Sequence, residues 1–399
     1  MNASKLISRS KSSFAICLLL MGMVAVLTTR LPRAEASKPP AATTGTNAAR
    51  LYVLDTEDGR SNSRVLVVDT SEGTVQKTYK AGYYPDMALA PDGARLYIAS
   101  SIWTPNKQSA RASEPEGRLK GFLEIYDTAS SAMVARVDNP DAIGRTLPVY
   151  PTSMTMSPSG NWLYVLRNVN WLDSSHPNSA AHLYLAAFDV QRRQFLPDRV
   201  PVPECGAILL PTSRDLTVDL KCADTDDVME ITFGGSRYPN SVTIPLGVNV
   251  KKWGAAFLES DERAMGLIAS DGSAFLFDRL GHTVQPLGTT IKSGALRPME
   301  RALVSAGRDV AYFGANGSRN PGWEDRFDQV VMADATTLAP KASLWTTMPF
   351  FSMALSADGE RLYAVNPERS AITVIDTEKL QEVRRLRVGE TPIFAIAAP

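Results

Sequence analysis

Among 399 residues there are three cysteines and three histidines. That scarcity removes several kinds of chemistry at the outset. Neither a CxxC pair nor a CxxCH occurs, which excludes a thioredoxin-like redox site and covalent haem. His176, His182 and His282 stand in no HxxxH or HExxH setting, so a histidine zinc site has no basis. All three read as surface or loop side chains. A GxSxG elbow and a phosphate-binding glycine loop are also missing, and the glycines fall at turns. Asp224-Thr225-Asp226-Asp227 is acidic but lacks the length and final Glu of a calcium loop, and reads as a solvated turn. Excess charge is absent too, with 42 Lys+Arg against 42 Asp+Glu.

Long apolar runs are scarce. The one candidate, Phe14 to Leu27, follows Lys5, Arg9 and Lys11 and precedes the small-x-small cleavage site Ala34-Glu35-Ala36. It is too short for a comfortable membrane span, so residues 1–36 read as a secretory signal peptide that sends the chain to the periplasm. Arg30 and Arg33 lie between the run and the cleavage site, which leaves an uncleaved anchor as the alternative. Those 36 residues carry five cations (Lys5, Arg9, Lys11, Arg30, Arg33) and one anion (Glu35), so the mature chain has 37 Lys+Arg and 41 Asp+Glu. Such a balance does not suit nucleic acid. Residues 37–48, rich in Pro, Ala, Thr and Asn, read as a disordered leader, and residues 49–399 as one domain.

Cys17 leaves with the signal, and Cys205 and Cys222 remain. An even pair in an exported protein reads as a disulfide, closing a loop of about 17 residues for roughly 3 kcal/mol on the chain-entropy model. The rival reading, a redox-active pair, lacks close spacing.

Repetition dominates the rest. Pro85 to Tyr97, Pro151 to Tyr164 and Pro349 to Tyr363 each combine an apolar alternation, an Asp-Gly or Ser-Gly turn and a Leu-Tyr. Each reads as strand, tight turn, strand. Weaker copies place further units near Thr217, Met265 and Ala311, giving seven units about 52 residues apart, a propeller-blade period. A second phrase ends strands in Asp-Thr at Asp69-Thr70, Asp127-Thr128 and Asp376-Thr377, with Asp189 and Asp278 as echoes. Short polar side chains there cap turns by bonding nearby backbone.

The last phrase, Pro392 to Pro399, stops halfway, and Ala49 to Asp55 supplies its missing half. The expectation is therefore an all-β, seven-bladed β-propeller closed by an N-terminal strand, which protects a strand edge. The alternative is a two-sheet sandwich with coincidentally similar turns.

Two aromatic pairs stand before strand phrases: Tyr83-Tyr84 after Gly82, and Phe350-Phe351 after Pro349. Such positions lie near one mouth of a propeller, where loops gather and ligands bind. Packing between blades is the alternative, and the favoured one for Phe350 and Phe351. The polar insert Thr104 to Lys120 lacks apolar periodicity and reads as a protruding loop.

At these residues the chain resembles the heavy subunit of quinoprotein amine dehydrogenases of the methylamine and aromatic amine type. The likeness is carried by Gly82-Tyr83-Tyr84-Pro85, by the insert running into Phe122-Leu123-Glu124-Ile125-Tyr126-Asp127, and by Leu147 to Pro151 leading to Ser157-Pro158-Ser159-Gly160. Val202-Pro203-Glu204-Cys205 with Cys222 looks like the family's intrablade disulfide. The resemblance implies a seven-bladed scaffold without catalytic residues or metal, paired with a light subunit in an α2β2 assembly. The light subunit would carry tryptophan tryptophylquinone and the catalytic base. A primary amine would yield aldehyde and ammonia, and electrons would pass to a copper protein or cytochrome c. Tyr83, with Tyr84 beside it, would line the substrate approach. Two other readings stay open: a stand-alone propeller for binding or assembly, and a propeller hydrolase such as a metal-dependent lactonase.

Overall fold

The computed structural model describes residues 50–56, 63–105, 117–138, 142–143, 154–169, 182–203, 207–234, 240–248, 253–258, 263–291, 300–305, 307, 309–316 and 326–399. The signal-peptide and leader readings, His176 and Cys205 lie outside them.

Strands account for most of this region, arranged in seven almost wholly antiparallel sheets, the blades of a β-propeller. Blade 1 runs Tyr83–Leu89, Arg95–Pro105, Gly117–Asp127, Met133–Asp138, from first strand to fourth. Blade 3 runs Ala207–Pro211, Thr217–Cys222, Asp227–Thr232, Asn240–Pro245, and blade 4 begins with Trp253–Leu258, Ala264–Ala269 and Ser273–Asp278. First strands touch one another from blade 1 through blade 4 and from blade 5 through blade 7. Fourth strands form the rim, and the exposed, charged Gln381–Arg387 of blade 6 is typical of a guarded edge.

Blade 7 closes the ring. Its first strand is Pro392–Ala397, and Arg50–Asp55, Arg64–Asp69 and Thr74–Lys80 complete it, with Leu51 opposite Ala397. The expected closure by an N-terminal strand is thus present, and three N-terminal strands take part. Asp55 is buried at the junction; its carboxylate accepts from the backbone N–H groups of Glu390 (3.0 Å) and Thr391 (2.6 Å) and pairs with Arg64 at 2.7 Å. Gly389, at φ +65°, makes this possible, because a Cβ there would lie 2.6 Å from the Asp55 carboxyl carbon.

Among the described residues, seven apolar clusters each draw on two consecutive blades, from Tyr52 and Met87 between blades 7 and 1 round to Val53 and Val365 between blades 6 and 7. A sandwich has one core between two sheets; this molecule has one core per seam. The third residue of the second strand is a buried tyrosine in five blades: Tyr52, Tyr97, Tyr164, Tyr312 and Tyr363. In blade 4 it is Gly266, where the Phe257 ring stands 2.5 Å from a would-be Cβ, and in blade 3 it is Asp219. The weaker repeat positions read at Thr217, Met265 and Ala311 are therefore corrected to Asp219, Gly266 and Tyr312. Strand pairing, which the sequence period only approximates, sets that register.

Antiparallel order puts all first-to-second and third-to-fourth turns on one face, the turn face. Second-to-third connections and passages between blades lie on the other, the mouth face. On the turn face the Asp-Thr phrase caps as expected. Asp69 accepts from the N–H of Ser71 and Glu72 at 2.9 and 3.1 Å, Asp127 from Ser130 at 2.8 Å, and Asp376 from Lys379 at 2.9 Å. The threonines reach across each blade, Thr128 donating to the Gly93 carbonyl at 2.6 Å and Thr377 to that of Gly359 at 2.7 Å. Thr104 to Lys120, read as a loop, is strand at both ends, since the hairpin of blade 1 stays paired out to Pro105 and Gly117. Residues 106–116 between them lie outside the description.

Candidate functional site

The first strand of blade 1 starts at the mouth with Tyr83. Tyr83 pairs with Ser101, but the next pair is Asp86 with Ala99, so Tyr84 and Pro85 together oppose Ser100. This is a β-bulge, a device that re-aims side chains near sites. Pro85 brings no N–H to the ladder there, and Tyr84 takes φ +50°, a left-handed conformation that costs a bulky residue about 1–3 kcal/mol. Gly82 permits the close approach, since a Cβ would fall 2.3 Å from the Ser101 carbonyl oxygen.

The bulge presents the Tyr83 and Tyr84 rings with centroids 6.5 Å apart and planes tilted by 39°. Both are half-buried. Burial, and then the neighbouring Tyr83 phenol, push the Tyr84 hydroxyl above its ordinary range. Behind them Ser101 and Asp86 are buried, Asp86 accepting from the Met87 N–H at 2.8 Å. Opposite the bulge the Ser100 hydroxyl is buried without a hydrogen-bond partner. The arrangement can pack against a ligand at a mouth and restrict its approach. It brings together no nucleophile and base.

The other residues singled out in the sequence are dispersed. Phe350 is buried against Phe327, ring centroids 5.4 Å apart, in the seam of blades 5 and 6, so packing is its role. His282 is exposed in a turn at φ +50°. Cys222 is buried, disulfide-bonded and opposite Ala207 in the ladder of blade 3, two residues from the position of Cys205. No group of His, Cys, Asp and Glu placed to hold a metal ion occurs among the described residues.

Sequence reading missed Asp86 and Ser100 beside the tyrosines, and the buried Asp219 and Lys221 in blade 3. Only blade-to-blade alignment of the second strands would have exposed that pair, because Val218-Asp219-Leu220-Lys221-Cys222 looks like an ordinary strand with one wet face.

Neither a protein-family model nor a curated relative matches the sequence. Solved structures do match in shape. A protein of unknown function from Desulfotomaculum acetoxidans superposes with a TM-score of 0.59 at 11% identity, covering 87% of this chain and 98% of its own. A putative 6-phosphogluconolactonase from Bacteroides fragilis gives 0.59 at 10% identity over 89% and 99%. AztD from Citrobacter koseri gives 0.50 at 12% identity over 88% and 97%. At such identities the likeness is one of fold.

Proposed function

We propose that this chain is the large subunit of a periplasmic amine dehydrogenase. It pairs with a light subunit in an α2β2 assembly, and that subunit carries tryptophan tryptophylquinone and the catalytic base. A primary amine leaves as aldehyde and ammonia, and a copper protein or cytochrome c takes the electrons. The observation that carries this reading is the strained Tyr83–Tyr84 bulge at the mouth. Backbone strain of this kind clusters at ligand sites, and here it falls on the Gly-Tyr-Tyr-Pro motif that carries the family resemblance. A bond from Cys222 to Cys205 completes the proposal.

The test is isolation from the native periplasm, with visible spectra before and after methylamine or a bulkier primary amine. A small cysteine-rich companion and a chromophore bleached by amine support the reading. A colourless protein without a companion overturns it. That second result favours a stand-alone propeller that uses the same bulge for binding without redox chemistry. Hydrolysis of a lactone would instead point to the activity attributed to the Bacteroides fragilis neighbour.

A further inference from the structure

Five blades fill the third position of the second strand with tyrosine; blade 3 places Asp219 there and Lys221 two residues on. The corresponding later positions elsewhere are Leu54, Ala99, Leu166, Ile268, Gly314 and Val365. Val218, Leu220 and Cys222 pack toward blade 2, so Asp219 and Lys221 face blade 4. Both are buried, at 1% and 0% exposure.

Each is tied to the seam. Asp219 pairs with Arg279 of blade 4 at 2.9 Å, and Arg279 also meets Glu230 at 3.2 Å, which Arg214 holds at 2.7 Å. Lys221 donates to the carbonyls of Cys222 and Thr225, both at 2.5 Å, and its ammonium stands 5.1 Å from the centre of the Trp253 ring. Asp224, Asp226 and Asp227 are its charged neighbours. The facing strands of blade 4, Trp253–Leu258 and Ala264–Ala269, carry no charge. The Trp253 indole N–H and the Thr225 hydroxyl are buried without hydrogen-bond partners.

We propose that the seam between blades 3 and 4 is a pH-sensitive joint, opening most readily near neutrality because it buries a carboxylate and an ammonium where the repeat puts apolar side chains. Buried ion pairs are seldom worth what apolar packing gives in the same place. Burial pushes the Asp219 carboxyl up to about 6 from 3.8, against the pull of Arg279. An opened seam returns that carboxyl to water, so closing takes up a proton between those values and acid favours the closed form. Burial pushes Lys221 down to about 8 from 10.5, so closing releases a proton between those values and alkali also favours closure. Opening is easiest in the window between.

Native-state hydrogen exchange on the full chain tests this, with intrinsic rates removed and the other six seams as internal controls. From pH 7 to pH 5 the opening constant at Thr217–Cys222 and Trp253–Leu258 is expected to fall about tenfold, one power of ten for the pH unit below the carboxyl's midpoint. In Asp219→Asn the slope should vanish. An equal slope in that variant, or equal slopes at all seams, overturns the joint. Direct titration of the Asp219 carboxyl by carbon NMR in the unmodified protein covers failure of the variant to fold; a midpoint near 4 overturns the proposal equally.

Discussion

The turn face and the mouth face are built from the same strands, yet they hold their connections by opposite means. On the turn face one local device recurs. An aspartate ends the third strand in six of the seven blades, at Asp69, Asp127, Asp189, Asp278, Asp334 and Asp376. In each case its carboxylate takes backbone N–H groups a few residues on. Among the described residues the mouth face shows no shared side-chain device. Asp55 captures the passage between blades 6 and 7, Lys221 gathers the carbonyls of a loop in blade 3, and Gly82 lets a bulge form in blade 1. Local caps repeat because each needs only its own hairpin. The mouth contacts join separate stretches of chain, so every one is a separate solution. Substitutions should accordingly be mild and uniform on the turn face and severe and uneven at the mouth.

The largest effect is expected from Asp55→Ala. It strands two partly buried N–H groups and the partly exposed Arg64 guanidinium, at about 3 kcal/mol for two hydrogen bonds to a charged acceptor lost together. Because the lost contacts hold the C-terminal strand, exchange protection at Pro392–Ala397 should fall before that of blades 1 to 6. Uniform loss of protection would show that blade 7 is no weaker a closure than a continuous blade.

Gly82→Ala comes next, at about 2 kcal/mol for forcing backbone apart around an inserted methyl. Its Cβ meets a backbone oxygen, which cannot rotate away as a side chain could. A denaturation midpoint unchanged by this substitution would show that the bulge yields freely.

Asp334→Ala samples the turn face, at about 1 kcal/mol for a lost cap. Its backbone N–H partners, Thr337 foremost, hold the carboxyl down to about 2. A depressed carboxyl contributes its stability above the ordinary value near 4 and loses it as pH falls towards the folded value. The substituted protein should therefore show less acid sensitivity than the parent between pH 4 and 2. Melting temperatures across that range decide the point.

The contrast between faces also explains what the sequence disclosed. Turn-face phrases such as Pro85 to Tyr97 and Ile375-Asp376-Thr377 are complete within one hairpin, so their repetition revealed the blades, their number and the ring closure. The Tyr83–Tyr84 pair was visible as well, because Gly-Tyr-Tyr-Pro interrupts an otherwise regular phrase. What stayed hidden was each feature that depends on a neighbour distant in sequence. Asp219 and Lys221 look solvent-facing until Arg279 and Trp253 close over them. The unit positions in blades 3, 4 and 5 slipped by one or two residues because only Tyr312 keeps the usual aromatic. Asp55 looked like one more strand-ending aspartate, although it ends a second strand and its backbone partners lie more than 300 positions away.

Tyr83→Ala should change stability least of all, by about 0.5 kcal/mol or less as for a partly exposed side chain outside the cores. Tyr84 keeps its strained backbone and Gly82 its close approach, so the bulge survives the loss of one ring. If the mouth restricts a ligand, the effect falls on recognition instead. KM for small and bulky primary amines should then diverge from the parent's ratio while melting temperature and assembly stay constant. Equal kinetics for both amine classes in parent and variant would remove Tyr83 from the approach. The strain at Tyr84 would then need another reason, one internal to the packing of blades 7 and 1.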